Sequence, residues 1–352
     1  MIVFRPVQSN DINQLEVLAK ASGPLVSTLE EDRAYLTSKI ERSNSSFMQD
    51  VISPGDQSYL FVLEDINTKQ LLGAAGINAL AGHKAPFYSF RHDIKIHSSN
   101  ELNVHNRVHA LTLNHDLSDH SQLCSFYIAP KLLESDYPLL MTMSRLLYMR
   151  LSPERFSEKW MAVLPGVFDQ QGLSPFWENV GRKFLGIGYD QVNHYHCTYE
   201  KTFIAEMMPY HPLYVALMDE QAQNAIGLIN KEAQLQSALL NEQGFETSKY
   251  VGIFDAGAVL TRSNKTNALS ENIVPVTLLP NQSNQVTQPF LVAIQGTTDF
   301  TSCLVDGVLN NKQLMINQET LNQLNVPTDS NIFAIALNQH NHIDDINIKE
   351  SN

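Results

Sequence analysis

Three clusters in the chain set proton-exchanging or metal-binding side chains close together. His105 and His109, four residues apart in LNVHNRVHALTLN, would share one face of a helix and offer two imidazoles to a metal, but no HExxH pattern or third ligand accompanies them. HYHC, His194 to Cys197, has metal-capable atoms without a partner pair, and NHDLSDHS places His and Asp beside serines without a nucleophile elbow. The expectation is therefore no metal and no covalent nucleophile. A fourth stretch suggests different chemistry. In SFYIAPKLLESDYPLLMTMSRLLYM, residues 125 to 149, a buried strand runs through a short loop into an amphipathic helix, and free N–H groups at such a helix start can hold an anion. The loop contains no glycine.

The elements that must position these residues follow from periodicity. IVFRPV alternates as a strand, and SNDINQLEVLAKAS opens with capping residues Ser9, Asn10 and Asp11 before Ile12, Leu15 and Leu18 at helical spacing. Ser58 to Asp65 and Gln70 to Leu80 are apolar runs joined by the turn INTK, a β-hairpin pattern. SQLCSFYIAP is the next strand, stopped by Pro130, and YPLLMTMSRLLYMRL is a helix with Leu139, Met143, Leu146 and Leu147 on one face. KWMAVLPGVF reads as a strand, SPFWENVGRKFLGIGY as a Ser-capped helix with proline in its first turn, and EAQLQSALLNEQG as a helix ending at Gly244 before another strand. From about Asn272 the composition shifts to Val, Thr, Gln and Asn. VPVTLLP, PFLVAIQG and TSCLVDGVL read as strands and NQETLNQLNV as a short helix. The expected organisation is an α/β (α+β) region over 1–271, a small β-rich module over 272–340 and a disordered polar tail over 341–352.

At 352 residues and 43% apolar content the chain can bury a full core. A net charge of −13 argues against nucleic acid or an anionic membrane as partner, since both need clustered Lys and Arg, and suits a small cationic substrate. The start lacks a signal-peptide pattern, because Arg5, Asn10 and Asp11 interrupt it, and no stretch has the roughly 18 apolar residues of a membrane span. Cys124, Cys197 and Cys303 are odd in number and far apart, which suits reduced thiols. A cytoplasmic location is expected.

The order β, α, β-hairpin, strand, loop, helix, strand, helix resembles the GNAT acyltransferase superfamily, with RPVQSNDINQLEVLA and FWENVGRKF similar to its first and last sequence blocks. A closer resemblance, carried by FYSFRHDIKIHSS, SPERF, QGLSPFWENVGRKF, FIAEMMPYHPLY and EQGFETSKYVGIFDAG, is to the arginine N-succinyltransferases, particularly the alpha chain of the two-subunit arginine/ornithine form. The resemblance implies an elaborated GNAT-like fold and transfer of a succinyl group from succinyl-CoA to the α-amine of L-arginine or L-ornithine in arginine catabolism. It also implies a related beta chain as partner, and succinyl-CoA as co-substrate with no permanently bound cofactor.

Site residues follow by the same resemblance. The strand Leu123 to Ile128 would give backbone N–H groups to the thioester carbonyl, so Phe126 and Ile128, together with Ser135 in the following loop, are the expected acyl-CoA contacts, although Phe126 equally suits a packing role. The family's proton-donor histidine, in IG-x-V-H-P, falls on Asn230 of IGLINKEA, and asparagine cannot exchange a proton near neutral pH. His211 in YHPLY is a backup, more simply read as a loop residue. Glu206 and Asp255 are candidates for the guanidinium, their plainer reading being cap or turn carboxylates. The family's R-K-E-G-N-G loop becomes LESDYP, Leu133 to Pro138. Asp136 and Pro138 stand where glycines would let pyrophosphate approach, so weak or absent CoA binding at this loop is expected, with activity relying on a second chain or this chain serving as a non-catalytic subunit.

Overall fold

The computed structural model describes residues 1–198, 202–263, 272–281, 286–327 and 329–337, and of 196–198 and 202 only the backbone. The expected disordered tail over 341–352 and the side chain of Cys197 lie outside the described residues. The chain opens with β1 (Ile2–Pro6), α1 (Ile12–Ser22) and α2 (Arg33–Met48), followed by β2 (Ser58–Asp65) and β3 (Gln70–Asn78). Next come β4 (Ser89–Ser99), β5 (Val104–Asn114), β6 (Ser121–Ile128), α3 (Tyr137–Leu151) and β7 (Lys159–Val163). Four short helices follow: α4 (Pro175–Asn179), α5 (Gly181–Leu185), α6 (Tyr189–Thr198) and α7 (Thr202–Met207). Then β8 (Leu213–Tyr214), α8 (Glu220–Ala225), α9 (Gln234–Glu242), β9 (Glu246–Val251) and β10 (Ala258–Ser263) lead to the last segment. That segment holds β11 (Val274–Pro275), β12 (Thr277–Pro280), β13 (Gln288–Gln295), β14 (Phe300–Asn310), β15 (Gln313–Ile316), α10 (Gln318–Leu324) and β16 (Asn331–Ala336).

The strands form one sheet in the order β11-β16-β13-β14-β1-β2-β3-β6-β7-β10-β9-β4-β5-β8, with β15 pairing β14 and β12 off the main path. The pairs β6–β7 and β12–β15 are parallel and the others antiparallel. The expected mixed sheet with the Leu123 to Ile128 strand inside it is present.

Each expected element that carried a strong period is found, because one face had to be buried. Leu15 and Leu18 of α1 and Leu36 and Ile40 of α2 pack on Leu60, Val62, Leu71 and Ala74, which is one face of β2 and β3. α3 covers the other face: Leu139, Leu140, Leu146 and Leu147 join Phe61, Leu72, Leu123 and Ile128 in the largest core. Arg5 fixes the first turn of the fold. Its guanidinium grips both oxygens of Asp11 at 2.8 and 3.0 Å and reaches Glu64 through Nε, so β1, β2 and the entry to α1 are tied at one point.

Two expectations need correction. Residues 105 and 109 lie on strand β5, so their four-residue spacing puts them along a strand, and the helical metal-binding geometry does not arise. His109 pairs instead with His92 across the β4–β5 ladder, with Nδ1 and Nε2 2.9 Å apart. The segment SPFWENVGRKF forms two short helices. Ser174 caps the first by accepting from Trp177 N at 3.2 Å, but Val180 at φ −114°, ψ −78° breaks the path. Gly181 then tucks beneath the Trp177 ring, where a Cβ would stand 2.1 Å from the indole.

Candidate active site

The site is built where two parallel strands part. β6 pairs β7 only through Ser121, Gln122 and Leu123, and beyond that point β6 keeps β3 alone as a neighbour among the described residues. Just past the last of these pairs, Ser125 takes φ 53° at a shift of the β3–β6 register. A serine tolerates this left-handed backbone because it is held there: its N–H donates to Thr28 Oγ1 at 2.7 Å and its hydroxyl to Thr28 O at 2.9 Å. The loop between α1 and α2 is thereby pinned to the strand at the point of divergence.

Peptide N–H groups alternate sides along a strand. Ala129 N donates to Leu72 O of β3 at 2.7 Å, so Tyr127 N also faces β3, and the amides of Phe126 and Ile128 face the side that β7 has left. A cavity of about 410 Å³ fills the gap. Its walls are residues 122–128 of β6, Val163 to Pro165 at the end of β7, Leu25 to Thr28, Glu232 to Ala233 before α9, and Gly252 to Asp255.

Of the expected site residues, Phe126, Ile128 and Asp255 line this cavity. Asp255 is buried and its carboxylate is already engaged: Oδ2 accepts from Gly166 N at 2.8 Å, Oδ1 from Gly257 N at 2.9 Å, and Tyr189 adds a side-chain hydrogen bond. Burial raises its pKa from the ordinary carboxylate value, opposed by these donors. It clasps the 252–257 turn to the end of β7, at a place where Gly166 and Gly257 let two backbones touch: a Cβ on Gly257 would lie 2.1 Å from Leu164 O.

Asn230 stands behind the wall. Its Oδ1 accepts from Glu232 N at 3.0 Å, starting the short helical turn that leads into α9, and its backbone N–H donates to Pro165 O at 2.9 Å. Glu206 on α7 and His211 after it are exposed and are not among the cavity's lining residues. Ser135 is exposed too, at the start of α3, where its hydroxyl donates to Leu132 O at 2.6 Å and weakly accepts from Tyr137 N at 3.4 Å. That helix start carries exposed Glu134 and Asp136, and Pro138 lies in its first turn.

Thr28, Ser125 and Glu232 were not singled out in the sequence. The tie between Thr28 and Ser125 spans 97 residues and leaves no local pattern. Glu232 had a signal, standing two residues beyond Asn230 in the segment read as catalytic. It is exposed, and it and Asp255 are the carboxylates that line the cavity among the described residues.

The frame of the site is thus a mixed sheet whose two parallel inner strands splay over a cavity, with a helix starting just past the splay. The family model "Arginine N-succinyltransferase beta subunit" matches residues 2–268. The chain is 38% identical over 308 residues to "Arginine N-succinyltransferase subunit alpha" of Pseudomonas aeruginosa, covering 87% of this chain and 90% of that one. It is 30% identical over 339 residues to "Arginine N-succinyltransferase" of Photorhabdus laumondii, covering 96% and 98%. The solved structure of arginine/ornithine succinyltransferase subunit AI from P. aeruginosa superposes with a TM-score of 0.86 at 34% identity, over 96% of this chain and 98% of that one. The chain belongs to the arginine N-succinyltransferase family. Among the described residues no helix is long and apolar enough to cross a membrane.

Proposed function

We propose that the cavity at the β6–β7 splay binds succinyl-CoA, and that the assembly containing this chain transfers its succinyl group to the α-amine of L-arginine or L-ornithine. The observation that carries the reading is the parting of β6 from β7 after Leu123, which leaves the Phe126 and Ile128 amides on the side where no strand pairs among the described residues. Aminolysis of a thioester forms a C–N bond and breaks a C–S bond. The carbonyl oxygen gains charge on the way, and preorganised N–H donors in a water-poor cleft stabilise it. The amine gives up a proton and the departing thiolate gains one. Asn230 orients the wall but cannot carry that proton. Glu232 is the exposed carboxylate that lines the cavity, suited to meet a cationic substrate. The net charge of −13 favours such a substrate.

A second reading is supported by the start of α3: this chain is a subunit that keeps the shape of a binder while a related beta chain holds the CoA. Glu134 and Asp136 place negative charge where a pyrophosphate would approach, and Pro138 lacks an N–H. One pair of assays separates the readings. Thiol release from succinyl-CoA, with and without the co-expressed partner, is expected only when arginine or ornithine is added; no release from the assembly would rule the activity out. The isolated chain is then heated with CoA. A ligand at a hundred times its dissociation constant adds about 2.7 kcal/mol of stability, and the absence of any shift would favour the non-catalytic subunit.

A further inference from the structure

Arg145, in the middle of α3, is fully buried. Its Nε donates to Met141 O of its own helix at 3.2 Å, while Nη1 and Nη2 have no hydrogen-bond partner among the described residues. No carboxylate pairs with it among the described residues. The guanidinium lies over the ring of Phe126, 5.1 Å from the centroid, and Cys124 lies near it. Phe126 and Cys124 both line the cavity, so the residues beside this charge also face the space between β6 and β7. Burial lowers its pKa to about 10, and it stays protonated at neutral pH.

Buried charges are paired as a rule, and leaving one without a partner is costly. Stacking on Phe126 offsets part of that cost. What would offset the rest is a permanent negative charge in the cavity on the far side of the wall. A transient oxyanion does not serve, because it is absent from the bound ground state. We propose that Arg145 selects the acyl group: its uncompensated guanidinium, behind Phe126 and Cys124, makes the cavity favour a thioester whose acyl chain ends in a carboxylate over a neutral one of equal length. The inference rests on the reading of the cavity as an acyl-CoA site. Arg145 acts through the wall and is a specificity residue, not a catalytic one. If the two charges lie about 8 Å apart at an effective dielectric of about 20, the attraction changes affinity roughly 30-fold.

The test compares succinyl-CoA with butyryl-CoA, which has the same four-carbon acyl chain without the terminal charge. Calorimetric titration is made on the native protein, in its assembly where a partner is co-purified, and on Arg145→Met and Arg145→Lys. The native protein is expected to favour succinyl-CoA about 30-fold, Arg145→Met to bring the two thioesters near parity with butyryl-CoA binding little changed, and Arg145→Lys to keep most of the preference. A preference that survives in Arg145→Met, or that disappears as completely in Arg145→Lys, would overturn the proposal. Should Arg145→Met fail to fold, the native ratio and Arg145→Lys decide it alone. Equal binding of both thioesters by the native protein sinks this inference only, whereas binding of neither removes the acyl-CoA site as well.

Discussion

At position 136 an exposed carboxylate stands just before α3, at the helix start proposed to face a bound acyl-CoA. If it lies about 5 Å from a phosphate charge at an effective dielectric of about 20, repulsion amounts to roughly 3 kcal/mol, or about two decades of affinity. Replacing Asp136 and Pro138 together by glycine is therefore expected to tighten CoA binding by up to about a hundredfold in calorimetric titration, whereas unchanged or weaker binding would mean the native loop already holds the cofactor. Asp255 presents the opposite case, a carboxylate with its oxygens committed to Gly166 and Gly257. Asp255→Ala leaves two buried N–H groups without acceptors, at about 1–3 kcal/mol each, and a lowered urea midpoint is the expected result. Residues of this local kind were legible: Asp255 sits in GIFDAG, where a turn carboxylate is the plain reading. Ser125 was not. Its left-handed backbone comes from Thr28, far away in the sequence, and nothing in SFYI announces it.

Among the elements, the strands and helices whose apolar period is clean were readable because burial of one face dictates that period: β2, β3, β6 and α3 lie where the pattern put them. The β4–β5 hairpin escaped. Its strands carry His92, His97, His105 and His109 among the alternating residues, and the i, i+4 histidine spacing suggested a helix. The hairpin carries a proton-sensitive contact as a result. With His92 Nε2 and His109 Nδ1 2.9 Å apart, one must donate and the other accept. Burial first, and the neighbouring His109 second, lower the His92 pKa from 6.5. A histidine with a depressed folded pKa contributes stability that is present above the unfolded value near 6.5 and is lost as pH falls through the folded one. The melting temperature is expected to drop as pH is lowered from 7.5 toward 5, less steeply in His92→Asn. Some slope should persist in that variant, because His120, also depressed chiefly by burial, has the same sign. An unaltered slope would show that the pair is electrostatically idle.

For the whole molecule, the segment from residue 272 is joined to the rest by main-chain pairing and by core. β14 pairs with β1, and Leu291, Ala293, Phe300 and Ile335 enter the same core as Phe61 and Tyr148. Ser302 Oγ donates to Ser144 Oγ of α3 at 2.7 Å inside that core. A fragment ending at residue 271 would uncover this face, so it is expected to lose cooperative unfolding, while the full chain melts in a single transition; two separate calorimetric peaks in the full chain would contradict this. The pairing of Val3 with Cys303 has a temporal consequence. A ribosome delivers β1 first and its outer neighbour about 300 residues later, so through most of synthesis the strand waits with one bare edge. Sheet edges of this kind recruit other chains, and long-range pairings form late. Nascent chains stalled before residue 300 should therefore depend most on chaperones, and the last strands to emerge close the seam at the first.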